Sequence, residues 1–417
     1  MNISRADVLI VIMGTNPFPN IISALTRVNE NGLICCVCTM ETREKPFERF
    51  KSLLKGNNKF INVDILELPD YLDRKDIEDK TSNKLDEMFR KISGDLLIEI
   101  NYTGGKKVIS SVVYDVIKNF DYKDTGRKID VNLTYIDSER ELMYVESGGS
   151  YKPKYSGDKI KLTELKESFK IGSVDIIETY NNPFEKKRLK ERPDKEKLSN
   201  ALGRLFENVS FKDFNKMMDF KTKLYETSVA AQKSEKRKTF LNDIDVLFRS
   251  FNIPLSIEDI KSAGFEKVEK IVKYFRKTDW FEEFILYKLL PLKEEHVIED
   301  IVANIDKKES DDENNYEVDI VIYKKYKLYA ISITTISDPK EAEDKLYEIH
   351  QRANDLGGEE TKIGCINLCW NVEELRKKCR NIWDYDISEN VLIAGAQDLK
   401  NLKDKVKTWI CGGGKNE

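Results

Sequence analysis

"DLLIEINYTGGKKVISSVVYDVI", residues 95–117, decides how the first part of this chain folds. The short apolar run at its start reads as a buried strand, and "VISSVVYDVI" reads as a helix. A strand that turns directly into a helix is the opening half of a parallel β–α–β unit. Asn101, Tyr102, Thr103, Gly104, Gly105 and Lys106 fill the turn. A helix N-terminus presents unpaired N–H groups and partial positive charge, which suit an anion. Glycines let the backbone approach a ligand closely, Thr103 adds a hydroxyl, and Lys106 or Lys107 adds a full charge.

The same alternation fills residues 1–150. "ADVLIVIMG", "GLICCVCTM", "FINVDILEL", "DVNLTYID" and "ELMYVES" read as strands, with amphipathic stretches between most of them. Continuous apolar strands alternating with helices predict a doubly wound α/β domain with a parallel sheet covered on both faces. Ligands in such sheets gather at the carboxyl ends of strands, near a topological switch point. Two more strand exits therefore join the first. "GTNPFPN" (14–20) supplies Gly14, Thr15, Asn16 and Pro17, and "CTMETRE" (38–44) supplies Thr39 and Thr42 beside Arg43. Neither G-x-G-x-x-G nor G-x4-G-K-[ST] occurs, so a dinucleotide fold and a P-loop ATPase are not supported.

A length of 417 residues implies two or three domains. The boundaries are expected at 1–150 for the α/β domain, 151–278 for a linker and helical connecting module, and 279–417 for a mixed α/β domain. The Gly-, Ser-, Pro- and Lys-rich "ESGGSYKPKYSGDK" (146–159) is the expected linker. With 70 basic and 74 acidic residues the net charge is −4, so a nucleic-acid surface has to be a local patch. No apolar run is long enough to span a membrane, and the N-terminus reads as a strand, not a signal peptide. Seven cysteines without paired C-x2-C spacing read as reduced thiols of a cytoplasmic protein. Only His296 and His350 are available for imidazole chemistry, which directs catalysis toward carboxylates, lysines and a divalent metal.

The last segment has the order α-β-β-β-α-β. Glu282 lies on its first helix, Glu317 and Asp319 on its second strand, and Ser332 and Thr334 on its third. Residues i and i+2 of a strand share a face, so Glu317 and Asp319 point together. Carboxylates so placed can hold a hard divalent cation, which can activate water and stabilise a pentavalent phosphorus.

Taken together, "GTNPFPN" and "NYTGGKK" at the ends of strands resemble the CARF domain, the Rossmann-like cyclic oligoadenylate sensor of type III CRISPR systems. "WFEEF" with Glu282, "EVD" with Glu317 and Asp319, the hairpin that follows, and the helix ending "HQRANDLGG" resemble the PD-(D/E)xK nuclease fold. The whole chain is similar to CRISPR ancillary nucleases that join these two parts. The resemblance implies a homodimer whose two sensor domains form one pocket for cyclic tetra-adenylate or cyclic hexa-adenylate. It implies that Gly14, Thr15, Asn16, Pro17, Thr39, Asn101, Tyr102, Thr103, Gly104, Gly105 and Lys106 surround that activator. It further implies that Glu282, Glu317 and Asp319 bind Mn2+ or Mg2+, and that the nuclease cuts single-stranded RNA or DNA or nicks duplex DNA.

One departure stands out. The family pattern ends in a lysine on the third strand, and this chain reads Ser332-Ile333-Thr334 there. Losing one preorganised electrostatic donor typically costs on the order of 10²–10³ in rate. Either another lysine substitutes, with Lys345 and Lys327 as candidates, or the domain is a non-catalytic module that binds nucleic acid or a partner protein. A metabolic nucleotide enzyme is disfavoured by the missing fingerprints, and a HEPN ribonuclease by the lack of an Arg shortly before either histidine.

Overall fold

The computed structural model describes residues 4–14, 16, 18–56, 62–69, 73–137, 140–149, 152–162, 184–186, 193–207, 209–265, 267–307, 316–324, 327–357, 361–383 and 391–412. It divides into two compact units, the first built on Met1–Asn182 and the second on Pro183–Lys324, Leu328–Asn354 and Thr361–Glu417.

The first unit alternates β1 (Ala6–Ile12), α1 (Phe18–Arg27), β2 (Val28–Cys38), α2 (Met40–Gly56), β3 (Asn62–Glu67), α3 (Arg74–Lys91), β4 (Leu96–Asn101), α4 (Lys107–Asn119) and β5 (Ile129–Asp137). β6 (Leu142–Gly149) and β7 (Lys152–Lys161) complete a sheet of order β3-β2-β1-β4-β5-β6-β7. Pairing is parallel from β3 through β5 and antiparallel for the last two strands. From β1 the chain winds one way to β2 and β3, then crosses back to β4 and β5. The switch point therefore lies between β1 and β4. The central strands are apolar along their length because both faces are covered, and Val8, Ile10, Ile98, Ile100, Val131 and Leu133 share one core with α3 and α4.

The stretch expected as a linker is instead the β6–β7 hairpin, paired Leu142↔Lys161 through Gly149↔Lys152. Its loop-like composition is compatible with a strand because β7 is the sheet edge, where polar residues, glycine and proline are tolerated.

Beneath the switch point lies a buried ion pair. Arg27, the last residue of α1, donates from Nε and Nη2 to Glu99 of β4 at 2.9 and 2.6 Å. Asn132 Nδ2 adds a 3.4 Å bond to Glu99, and Ser147 Oγ donates to Asn132 Oδ1 at 2.8 Å. This chain of contacts ties α1, β4, β5 and β6 together.

In the second unit β8 (Phe184–Lys186) precedes a run of helices: α5 (Pro193–Gly203), α6 (Phe211–Ala230), α7 (Phe240–Ser250), α8 (Ile257–Ser262), α9 (Val268–Arg276) and α10 (Asp279–Leu289). Then follow β9 (Asp300–Lys307), β10 (Tyr316–Lys324), β11 (Lys327–Ile333), α11 (Pro339–Gly357), β12 (Lys362–Ile366), α12 (Glu373–Trp383), β13 (Val391–Ala394) and α13 (Leu402–Cys411). The sheet order is β13-β12-β11-β10-β9-β8, antiparallel at β8–β9–β10 and parallel at β11–β12–β13. Helices and sheet share one core, with Leu202, Phe206, Phe220, Phe248 and Phe284 continuous with Ile320, Ile331 and Ile366. α5 and α10 approach so closely that a Cβ on Gly203 would lie 2.1 Å from the Phe284 ring. The fold expected from the sequence is thus the fold found: a parallel-rich α/β sheet, a helical module and a second mixed sheet.

No helix among the described residues is long and apolar enough to cross a membrane. Six cysteines are buried free thiols and Cys411 is exposed. Burial raises the thiol pKa of Cys35, Cys36, Cys38, Cys365, Cys369 and Cys379, which keeps these groups protonated and unreactive.

Candidate functional site

At the switch point the exits of β1 and β4 interlock through glycine. A Cβ on Gly14 would lie 2.7 Å from the Gly105 nitrogen, one on Gly104 would lie 2.4 Å from the Ile12 carbonyl, and one on Gly105 would lie 2.3 Å from Ile12 Cγ2. Gly105 also has φ +79°, a left-handed conformation that costs glycine little. Asn101 Oδ1 accepts from the Thr103 N–H at 3.1 Å, which folds the turn on itself. The Thr103 hydroxyl accepts from Ile136 N of β5 at 2.7 Å, and Ser110 Oγ of α4 donates to the Gly104 carbonyl at 2.5 Å.

This crevice contains polar atoms that want a partner. Asn101 is fully buried, yet its Nδ2 donor has no partner among the described residues, and the same holds for Oδ1 of fully buried Asn20. Asn20 Nδ2 meanwhile clamps the end of β1 by donating to the Ile12 carbonyl at 3.0 Å. No side chain caps the N-terminus of α4. A donor amide, an acceptor amide and an open helix terminus at one crevice suit a ligand carrying both phosphates and hydrogen-bonding bases. Lys106 stands half-exposed at the rim, its Nζ 3.2 Å from Glu41 of α2.

Aromatic rings flank the turn. Tyr102 packs edge-on against Tyr114 at 4.7 Å and lies 5.6 Å from Tyr135. Burial pushes the Tyr102 hydroxyl up to about 12, so it stays a neutral donor. Thr39 and Thr42 are buried and bonded to each other: Thr39 N donates to Thr42 Oγ1 at 2.9 Å, capping α2. Asn16 is half-buried at the β1 exit, whereas Thr15 and Pro17 lie outside the described residues.

The second unit gathers carboxylates from α10 and β10. Thr278, in a left-handed conformation at φ 63°, introduces α10 and sets Asp279 and Glu282 in its first turn. Asp319 Oδ2 accepts from Ile333 N at 2.5 Å and from Ser332 Oγ at 3.3 Å, joining β10 to β11. Burial first, and the charge of Glu317 as well, push the Asp319 carboxyl up to about 6, against the stabilising N–H of Ile333. Burial, then the charges of Asp319, Asp279 and Glu317, hold Glu282 well above the usual carboxylate range. Asp279 is raised too, by burial. Among the described residues no three Asp, Glu, His or Cys side chains are arranged to hold a metal ion. The donor chemistry nevertheless suits a hard cation, because mutually repelling oxygen donors are what a divalent ion relieves.

Thr334 donates its N–H to Ile366 and its hydroxyl accepts from Ile336 N at 3.3 Å, a turn-forming role. Lys345 donates to Glu348 on α11. Lys327 begins β11, about 20 Å along the strand from Thr334. Two cations near the strand ends were not singled out from the sequence. Lys221 of α6 donates to the Thr335 carbonyl at 2.8 Å, and burial lowers its pKa. Arg352 Nη1 donates to the Glu317 carbonyl at 2.6 Å.

No family model matches the sequence, and no curated protein matches it. Solved structures do resemble it. Protein VC1899 from Vibrio cholerae superposes with TM-score 0.63 and 13% identity, over 98% of this chain and 99% of that one. Can2 from Sulfobacillus thermosulfidooxidans, solved in complex with cyclic tetra-adenylate, superposes with TM-score 0.58 and 14% identity, over 97% of each chain. This chain has the fold of Can2. The likeness spans both sheets and the helices between them. Within that fold the two clusters described above occupy separate units: the glycine crevice at the switch point of the first sheet, the carboxylates on α10 and the central strand β10 of the second.

Proposed function

We propose that this protein is a type III CRISPR accessory nuclease gated by cyclic oligoadenylate, with cyclic tetra-adenylate the favoured activator. Two copies pair so that their switch-point crevices form one pocket. Gly14, Asn16, Asn101, Tyr102, Gly104, Gly105 and Lys106 of each copy surround the ring, joined by Thr15, Pro17, Thr39 and Thr103. Activator binding shifts the dimer toward an arrangement in which the second unit cuts single-stranded RNA or DNA, or nicks duplex DNA. Gating of this kind requires that the ring bind one arrangement better than the other.

The observation that carries this reading is the crevice itself. Three glycines hold two strand exits in contact, the buried Asn101 amide donor has no partner among the described residues, and no side chain caps the α4 terminus. The cyclic tetra-adenylate complex of a protein with the same fold supports the choice of ligand. Glu282, Glu317 and Asp319 would hold Mn2+ or Mg2+, which supplies a polarised water and charge for the phosphorane-like transition state. Ser332 holds Asp319 in place, and the protein is expected to act in the cytoplasm, where its thiols stay reduced.

A second reading is favoured by one specific feature. Thr334 stands where the family pattern has a lysine, and its hydroxyl is occupied by a local hydrogen bond from Ile336 N. On this reading the second unit binds nucleic acid or a partner protein without turnover. One experiment separates the two: labelled single-stranded RNA, single-stranded DNA and supercoiled plasmid are incubated with Mn2+, with and without cyclic tetra-adenylate. Activator-dependent cleavage that disappears in Asp319→Ala supports the nuclease. Activator binding by calorimetry without any cleavage selects the non-catalytic sensor.

A further inference from the structure

The carboxylate cluster borders a row of charges on α11. Lys345, Glu348 and Arg352 follow each other at three- and four-residue spacing and so share one face of that helix. Glu348 lies between the two cations and pairs with both, which holds its own carboxyl below the usual range despite burial. Arg352 is 24% exposed and reaches the backbone of β10, donating to the Glu317 carbonyl. Its charge is felt at Asp319, two residues along the same strand face.

A nucleic-acid strand approaching Glu282, Glu317 and Asp319 brings negative phosphates to negative oxygens, so productive binding needs a fixed cation at the edge of the cluster. A guanidinium anchored on a backbone carbonyl is suited to that task, because it presents planar donors matched to phosphate. We infer that Arg352 is a phosphate-binding residue of the second unit and that Glu348 is its exchangeable partner. When phosphate takes the guanidinium, Glu348 keeps its pairing with Lys345. The assignment rests on the nucleic-acid-cutting reading given above.

The test uses the full-length protein with cyclic tetra-adenylate, a fluorescein-labelled single-stranded oligonucleotide and Ca2+ in place of the catalytic metal. In anisotropy titrations Arg352→Gln is expected to weaken oligonucleotide binding about ten- to a hundredfold, the loss of one charge-assisted contact. Arg352→Lys is expected to restore part of the affinity, and Glu348→Gln to increase it. Calorimetry with Mn2+ alone is expected to show several-fold tighter metal binding in Arg352→Gln, since a cation beside the carboxylates is gone. A purely structural role would weaken both ligands together. Unchanged oligonucleotide affinity in Arg352→Gln, with a wild type that binds and cuts, overturns this assignment alone. A wild type that neither binds nor cuts the strand removes the nuclease reading and this assignment with it.

Discussion

Gly14 and Gly105 meet backbone to backbone, so that a side chain on Gly14 would intrude to 2.7 Å from the Gly105 nitrogen. These residues are distant in sequence but lie in the turns that leave β1 and β4, two strands that run side by side and parallel. Their contact fixes the two loops as one surface, and that surface is the floor of the proposed activator pocket.

Gly105→Ala is expected to destabilise the first unit by about 1–3 kcal/mol, through a left-handed φ and a clash with Ile12. Calorimetry should also show activator binding weakened or lost. Gly94→Ala is the control: Gly94 has φ +90°, and a Cβ added there would meet nothing within 4 Å, so strain is its sole cost and activator binding should survive. Equal activator affinity in all three proteins would remove the crevice from the account.

Lys106 and Glu41 form an exposed pair at 3.2 Å, and such pairs contribute little to stability. Lys106→Ala should therefore melt like wild type while its activator Kd rises about tenfold or more, the typical value of one charge-assisted hydrogen bond. Glu41→Gln should lower the Kd, because the lysine no longer has a competing carboxylate. Both effects should shrink as salt is raised.

The Arg27–Glu99 pair differs in kind, since both side chains are almost wholly buried. Removing one partner strands a charge in the interior, so Arg27→Met or Glu99→Gln alone should cost about 3–5 kcal/mol in urea unfolding. Replacing both together should recover much of that loss. If either single variant unfolds at the wild-type midpoint, the pair is not a determinant of the sheet.

Asp319 gives the second unit a pH signature. Its folded pKa, about 6, lies above the ordinary value of 3.8, so the native state binds the extra proton between those limits. Stability should accordingly fall as pH rises through that window and level off above it, by about 2–3 kcal/mol in total. Glu282, raised in the same direction, should add to the trend. Asp319→Asn should flatten the slope, melting higher than wild type at pH 7 in chelator and no differently near pH 4. Added Mn2+ should stabilise wild type at pH 7 and leave Asp319→Asn nearly unmoved.

Much of the site was written locally. The glycines, Asn101 and Lys106 announce themselves by standing between an apolar run and an amphipathic one. Asn20 carried no such mark: its side chain matters because α1 folds back over the end of β1. Arg352 and Lys221 were equally silent, since each is one cation among 70 basic residues until its neighbours are known. The β6–β7 hairpin misled for a related reason. A sheet edge is half solvated and tolerates the composition of a loop, so only pairing reveals it.

By itself the sequence determined the alternation of strands and helices, the glycine-bearing turns and the carboxylates of one strand face, because periodicity and backbone permissiveness act over a few residues. Only the tertiary structure decided that β1 lies against β4, that the helices and the second sheet share a core, and which cation meets which carboxylate. Those facts depend on the order in which strands assemble, and side-chain partnership across a sheet is set by that order and not by distance along the chain.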